Sequence, residues 1–231
     1  MDEIVTGFLQ AVQLIFSLDP ALYEIISLSL RVSGSALAIS VVLGVPIGAA
    51  LGLSRVRARG FITALLYTGM GLPPVVVGLF VYLMVSRSGP FGILGWLFTP
   101  SAMIAAEVII AFPLVSGLTM TAVQGTDPAL RVQVRSLGAT RWQETWTVLR
   151  EARIGVVAAI VAAFGSIISE VGAVMLVGGN IDGKTRTLTT AIVLNTRTGE
   201  FASAMALGII LLALAFIANV AMLQLQRRTG D

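Results

Sequence analysis

The chain has 231 residues, 56% of them apolar and 12% charged, with a formal net charge of +3 and neither cysteine nor histidine. That composition leaves no length for a separate soluble domain and describes one membrane domain. The missing residue types exclude disulfides, thiolate catalysis, Fe–S and Cys-zinc sites and remove the usual metal ligand and proton shuttle, so transition-metal chemistry is not expected; no catalytic residue, metal or cofactor is assigned.

Residues 1–24 form an N-terminal segment. Its apolar run, Ile4 to Leu18, is about 15 residues long and is broken by Gln10 and Gln13 before Asp19-Pro20. It is expected to lie in the membrane interface, a sixth span or a signal peptide being the alternatives. The opening Met1-Asp2-Glu3 is acidic where a signal peptide needs basic residues.

A helix needs about 20 apolar residues to cross a hydrocarbon core with its backbone satisfied internally. Five segments meet that requirement, at about 28–53, 61–86, 102–123, 154–177 and 201–226. Val32–Leu53, Phe61–Ser86 and Phe201–Gln226 carry no charge, while the third span holds Glu107 and the fourth holds Glu170. Gly44, Gly48 and Gly52 make a smooth stripe for close helix contact on the first span. Pro73-Pro74 and Pro113 predict packing kinks in the second and third. An ionisable group at membrane depth is costly and turns toward protein or water. Glu170 is therefore expected to cap, to pair with Arg186 or a partner subunit, or to line a path; a direct ligand role toward an anion is disfavoured by Coulomb repulsion.

Between the third and fourth spans lies a polar insert, residues 124–153. Asp127-Pro128 is an N-cap followed by proline at the first helical position, and Gly138-Ala139-Thr140 is a break and restart, so two short helices are expected. Leu130, Val134 and Leu137 share a face opposite Arg131 and Arg135; Trp142, Trp146 and Leu149 share another, away from Arg141, Glu144 and Glu151. Physics alone leaves two uses open: a knob for another protein's groove, or an amphipathic loop on anionic lipid.

Lys and Arg near span ends favour the cytoplasm. Arg55, Arg57 and Arg59, then Arg131, Arg135, Arg141, Arg150 and Arg153, then Arg227 and Arg228, fall on one side of a five-span chain. The insert and C-terminus are then inside, and the N-terminus with Asp2, Glu3, Asp19 and Glu24 is outside. Arg87, Lys184, Arg186 and Arg197 stand outside, against the rule.

Gly178-Gly179-Asn180-Ile181-Asp182-Gly183-Lys184-Thr185 matches the P-loop pattern residue for residue. Its context fails, since the preceding segment is a helical span and no alternation of strands and helices surrounds it. The same stretch is suited to an oxyanion instead: two glycines end the span, and backbone N–H groups follow beside Lys184, Arg186, Thr185 and Thr187. A solvated external loop that binds lipid headgroups is the alternative.

Ser136-Leu137-Gly138-Ala139-Thr140-Arg141-Trp142, after Asp127-Pro128 and before Arg153-Ile154-Gly155, resembles the cytoplasmic loop motif of ABC importer permeases. Gly71-Leu72-Pro73-Pro74-Val75-Val76-Val77-Gly78, Ser169 to Asn180 and Thr185 to Ile192 are similar to tungstate-importer permeases, relatives of the molybdate and sulfate permeases. The loop departs from that pattern: Val132-Gln133-Val134 stands where the family has Glu-Ala-Ala, and Leu149-Arg150 where it has Leu-Pro.

The resemblance implies an all-α polytopic protein with five transmembrane helices and a cytoplasmic coupling-helix loop, the ABC type-1 importer permease fold. It implies that Arg135, Leu137, Gly138, Ala139, Thr140, Arg141 and Trp142 meet a separate ATP-binding subunit. Glu170, Gly178, Gly179, Asn180, Lys184, Thr185, Arg186 and Thr187 are the expected substrate path. The expected partners are a second copy of the chain, the ABC ATP-binding subunit, an external substrate-binding protein and membrane lipid, with no nucleic acid. Five spans give few walls for a pathway, and a passage on the two-fold axis of a homodimer supplies the rest. The chain is then a multi-pass conduit of the cell membrane for tungstate, molybdate or another oxyanion, and not an enzyme. A passive channel or membrane scaffold is the competing class.

Overall fold

The computed structural model of the chain describes residues 5–9, 12–13, 20–54 and 59–228, with backbone alone for 222, 223 and 225–228. The rest of the expected interfacial segment, Asp2, Glu3, Asp19, Arg55 and Arg57, and the side chains of Arg227 and Arg228, lie outside the described residues. All regular structure among the described residues is helical.

Residues 5–9 are helical with Val5, Phe8 and Leu9 exposed, while Gly7 lies against Met205. Helix α1, Pro20–Leu53, starts on a proline and runs 34 residues. At 1.5 Å per residue it is about 51 Å long, well beyond a hydrocarbon core of about 30 Å, so it extends past the expected span start at 28. Among the described residues, three helices are long and apolar enough to cross a membrane as single pieces: α1, α4 (Pro100–Gln124) and α10 (Phe201–Arg228, through Ala221).

The two remaining expected spans are each built from pieces. Over 61–86 the chain forms α2 (Arg59–Met70) and α3 (Pro74–Val85), separated at Gly71–Pro73. Consecutive prolines explain the break. Pro73 holds φ at −62° and caps the second helix, Pro74 enters it without needing an amide donor, and the residue before a proline is driven out of helical geometry.

Over 154–177 the chain forms α7 (Arg153–Ile168) and α8 (Gly172–Gly178). No proline is present here. The Ser169 hydroxyl donates to the carbonyls of Gly165 and Ser166, the Glu170 amide turns to the Ile167 carbonyl, and the Glu170 side chain caps a fresh start. A further helix not expected from the sequence, α9 (Leu188–Thr198), follows a capping box in which Thr187 and Thr190 serve each other.

The helices divide into two compact units. One comprises the described residues of Met1–Ala36 with Pro73–Glu107 and Gly165–Val220. Its apolar core joins Leu22, Leu188, Ala191, Leu207 and Ile210, and α3 meets α8 so closely that a Cβ on Gly78 would stand 2.6 Å from the Ala173 Cα. The other comprises Leu37–Leu72, Val108–Phe164 and the described part of Ala221–Asp231. There Gly44 faces Val115 and Ser116, Gly48 faces Ser116 and Thr119, and Gly52 faces Val123. The contact position rises along both helices together, so α1 and α4 run parallel. The same unit closes a core of Ala49, Val123, Val148 and Ala152, with Leu53, Leu130 and Leu149 packed on it.

Candidate functional site: the α5–α6 tip and the Gly178–Leu188 turn

The insert forms α5 (Pro128–Ser136) and α6 (Arg141–Glu151), as the capping residues predict. The Asp127 carboxylate accepts from the Ala129 amide at 2.8 Å, and Pro128 occupies the first turn. At the far end Gly138 adopts φ +82°, its N–H reaches the Arg135 carbonyl and the Ala139 N–H reaches that of Val134. That pair of bonds is the glycine-terminated helix end that a left-handed residue permits. Thr140 and Gln143 then cap each other to start α6.

The result is an exposed tip. Leu137 is 87% exposed, Trp142 76% and Trp146 63%, and nothing lies within 4 Å of a Cβ built on Gly138. Arg135, Thr140 and Arg141 are exposed beside them and Ala139 is half-buried. All seven residues expected to contact a partner therefore meet at one apolar, basic-rimmed apex. Beyond α6 the chain bends by 70° into α7, taking α6 off the axis of that span.

The residue that sequence reasoning missed is Glu144. Its side chain is 5% exposed and accepts from Arg131 Nε at 2.9 Å and Arg135 Nε at 2.8 Å. Arg131 continues through Nη2 to the Leu53 carbonyl at 3.2 Å. Burial alone pushes a carboxyl up, but the hydrogen bonds and charges of Arg135 and Arg131 outweigh it and hold Glu144 below its ordinary value.

In the other unit, the stretch expected to receive an anion is tightly bonded to itself. The amides of Lys184, Thr185 and Arg186 donate to the Ile181 carbonyl, and the Ile181 amide donates to Thr185 Oγ1. The Thr187 amide donates to Thr190 Oγ1 and the Leu188 amide to Ser29 Oγ. Thr185, fully buried, donates its hydroxyl to the Gly178 carbonyl, and Thr187 is buried against Thr189 and Thr190. These bonds define a turn and a helix start, so the amides from Lys184 to Leu188 are taken up within the chain and form no free cradle. Gly179 adopts φ +74° against the Phe98 ring, and the Asn180 side-chain oxygen is buried without a partner among the described residues.

Charge remains at the surface of this turn. Lys184 is exposed, and Arg186 binds Asp182 at 2.7 Å rather than Glu170. Glu170 takes the capping role among its expected alternatives: Oε1 accepts from the Ala173 amide at 3.0 Å, and its carbonyl accepts from Thr189 Oγ1. The third-span acid, Glu107, is buried and accepts from Ser33 Oγ at 3.3 Å.

Comparison with known proteins agrees with this geometry. Residues 44–231 match the family described as binding-protein-dependent transport system inner membrane component. The chain is 39% identical over 226 residues to the tungstate uptake system permease protein TupB of Peptoclostridium acidaminophilum, covering 98% of this chain and 99% of that one. It is 44% identical over 213 residues to a probable anion ABC transporter permease protein of Haloferax volcanii, covering 90% of this chain and 92% of that one. Among solved structures, an inward facing MetNI methionine ABC transporter aligns with a TM-score of 0.78 at 19% identity, covering 92% of this chain and 98% of that one. At that identity the likeness is one of fold.

Proposed function

We propose, for a chain that belongs to the family of binding-protein-dependent transport system inner membrane components, the role of permease subunit in an ATP-driven importer of an oxyanion, tungstate foremost. The observation that carries the role is the α5–α6 tip: two separately capped helices hold Leu137 and Trp142 in solvent, an arrangement that folding of this chain alone does not require. Tungstate follows from the relative aligned over nearly the whole of both chains.

ATP is hydrolysed by a separate subunit seated on the tip at the cytoplasmic face. Nucleotide-driven closure of that subunit displaces the tip, and the displacement switches the spans between two arrangements. Two copies of the chain form the passage, and an external binding protein presents the oxyanion to the side that carries Lys184 and Arg186. Glu170 shapes the broken fourth span by capping α8. Threonines 185, 187, 189 and 190 hold the turn in shape, leaving the exposed Lys184 and the partly buried Arg186 to attract the anion.

The test is reconstitution in vesicles with an ATP-binding subunit and a binding protein. Tungstate uptake that requires enclosed ATP is the expected outcome. Uptake by the chain alone, down its gradient and indifferent to ATP, would establish the passive-channel alternative.

A further inference from the structure

Helix α5 is poorly anchored by apolar contact. None of its residues is fully buried, and of its side chains only the half-buried Leu130 packs on the core of Ala49, Val123, Val148 and Ala152. An open cleft of about 490 Å³, lined in part by Asp127, Gln133, Glu151 and Gly155, lies alongside it. Helix α6 is different, since Val148 is fully buried in that core and Glu144 is buried beneath the tip. What ties α5 to the rest is charge: Arg131 and Arg135, one turn apart, both close on Glu144, and Arg131 alone also reaches the Leu53 carbonyl. Leu53 is the last residue of α1, where carbonyls lack partners within the helix. A guanidinium presents several donors in a fixed fork and can serve a carboxylate and a carbonyl at once.

We propose that Glu144 and Arg131 form the mechanical link of the coupling loop, with Glu144 binding α5 and α6 into one body and Arg131 joining that body to the end of α1. Both are positioning residues, and neither needs to touch the ATP-binding subunit. The inference rests on the tip being the seat of that subunit. A push on Leu137, at the end of α5, reaches α1 through Glu144, Arg131 and the Leu53 carbonyl, alongside the apolar route by which Val148 and Leu149 of α6 meet Ala49 and Leu53. With the link cut, the partner still docks and hydrolyses ATP, and the share of the stroke that α5 carries is lost within the loop.

The experiment measures ATP hydrolysis and tungstate uptake in the same vesicles, using the whole importer with Glu144→Gln, Arg131→Lys and Glu151→Gln. Gln keeps the shape of Glu144 and removes its charge. Lys keeps the charge of Arg131 but concentrates its donors on one ammonium. The expected result is that both variants retain the ATP-binding subunit on purification and continue to hydrolyse ATP, while uptake per ATP falls about tenfold. Glu151→Gln, on an exposed residue outside the link, leaves the ratio unchanged. Uptake per ATP at the wild-type level in Arg131→Lys overturns the proposal, and should Glu144→Gln fail to fold, Arg131→Lys decides alone. Loss of the ATP-binding subunit from either variant overturns it as well, by showing that these residues only shape the docking surface. A wild-type chain that carries no ATP-binding subunit refutes the tip as its seat, a failure distinct from that of the link.

Discussion

Gly138 carries a left-handed backbone in open surroundings, so a side chain there would meet a conformational penalty and no clash. Gly138→Val is expected to cost about 1–2 kcal/mol through backbone strain and to loosen the turn between α5 and α6. The measurement is recovery of the ATP-binding subunit after detergent extraction, which should drop for Val and remain near wild type for Asn, a residue that tolerates this conformation. Glu144 gives a pH signature. Its folded value is lowered, so its stabilisation is complete above the unfolded carboxylate range near pH 4.3 and is lost only as pH falls through the lowered value. The difference in thermal midpoint between wild type and Glu144→Gln should therefore stay constant from about pH 7 to 5 and shrink below about pH 4. At the turn that carries Lys184, neutralising Lys184 and Arg186 together leaves Asp182 unopposed and is expected to convert attraction into repulsion for an anion. Uptake should fall several-fold, about 3–10 times, and most steeply at low salt.

The capped helices of the insert were legible because their signals are local: Asp127-Pro128, Gly138 and Thr140 each act within four residues. The break in the second span was marked by consecutive prolines, although the sequence alone reads them as a kink. The break at Ser169–Val171 was hidden, because serine and glutamate interrupt a helix only when their side chains choose backbone partners, here Gly165, Ser166 and Ala173. Glu144 was equally hidden. Its partners lie 9 and 13 residues away on another helix, a spacing that no periodicity reports. The glycine stripe of α1 offers the sharpest test at this scale. A Cβ on Gly48 would strike the Ser116 backbone oxygen and crowd the Thr119 Cβ at 2.9 Å, whereas Gly34 on the same helix has nothing within 4 Å. Gly48→Ala is expected to destabilise by about 1–3 kcal/mol. Gly34→Ala should be neutral or gain up to about 1 kcal/mol from helix propensity. Thermal unfolding of the two purified variants compares them directly.

For the molecule as a whole, the basic insert and the cation-bearing turn must face opposite compartments if one meets an ATP-binding subunit and the other an arriving anion. A cysteine introduced at position 183 should react with a membrane-impermeant maleimide on intact cells, and one at position 140 only after permeabilisation; the native chain has no thiol to confuse the assay. The reverse pattern would invert the proposed orientation. The parallel run of α1 and α4 adds a rule of parity. Two membrane-crossing helices that point the same way begin on the same leaflet, so the stretch joining the end of one to the start of the other must traverse the bilayer an odd number of times. The described part of that stretch holds α2, α3 and a three-residue 3-10 turn at Gly92–Leu94 that is too short to cross, so the odd passage falls to the interrupted pair, which emerges on the face opposite its entry: it is a severed crossing and never a hairpin that dips in and returns.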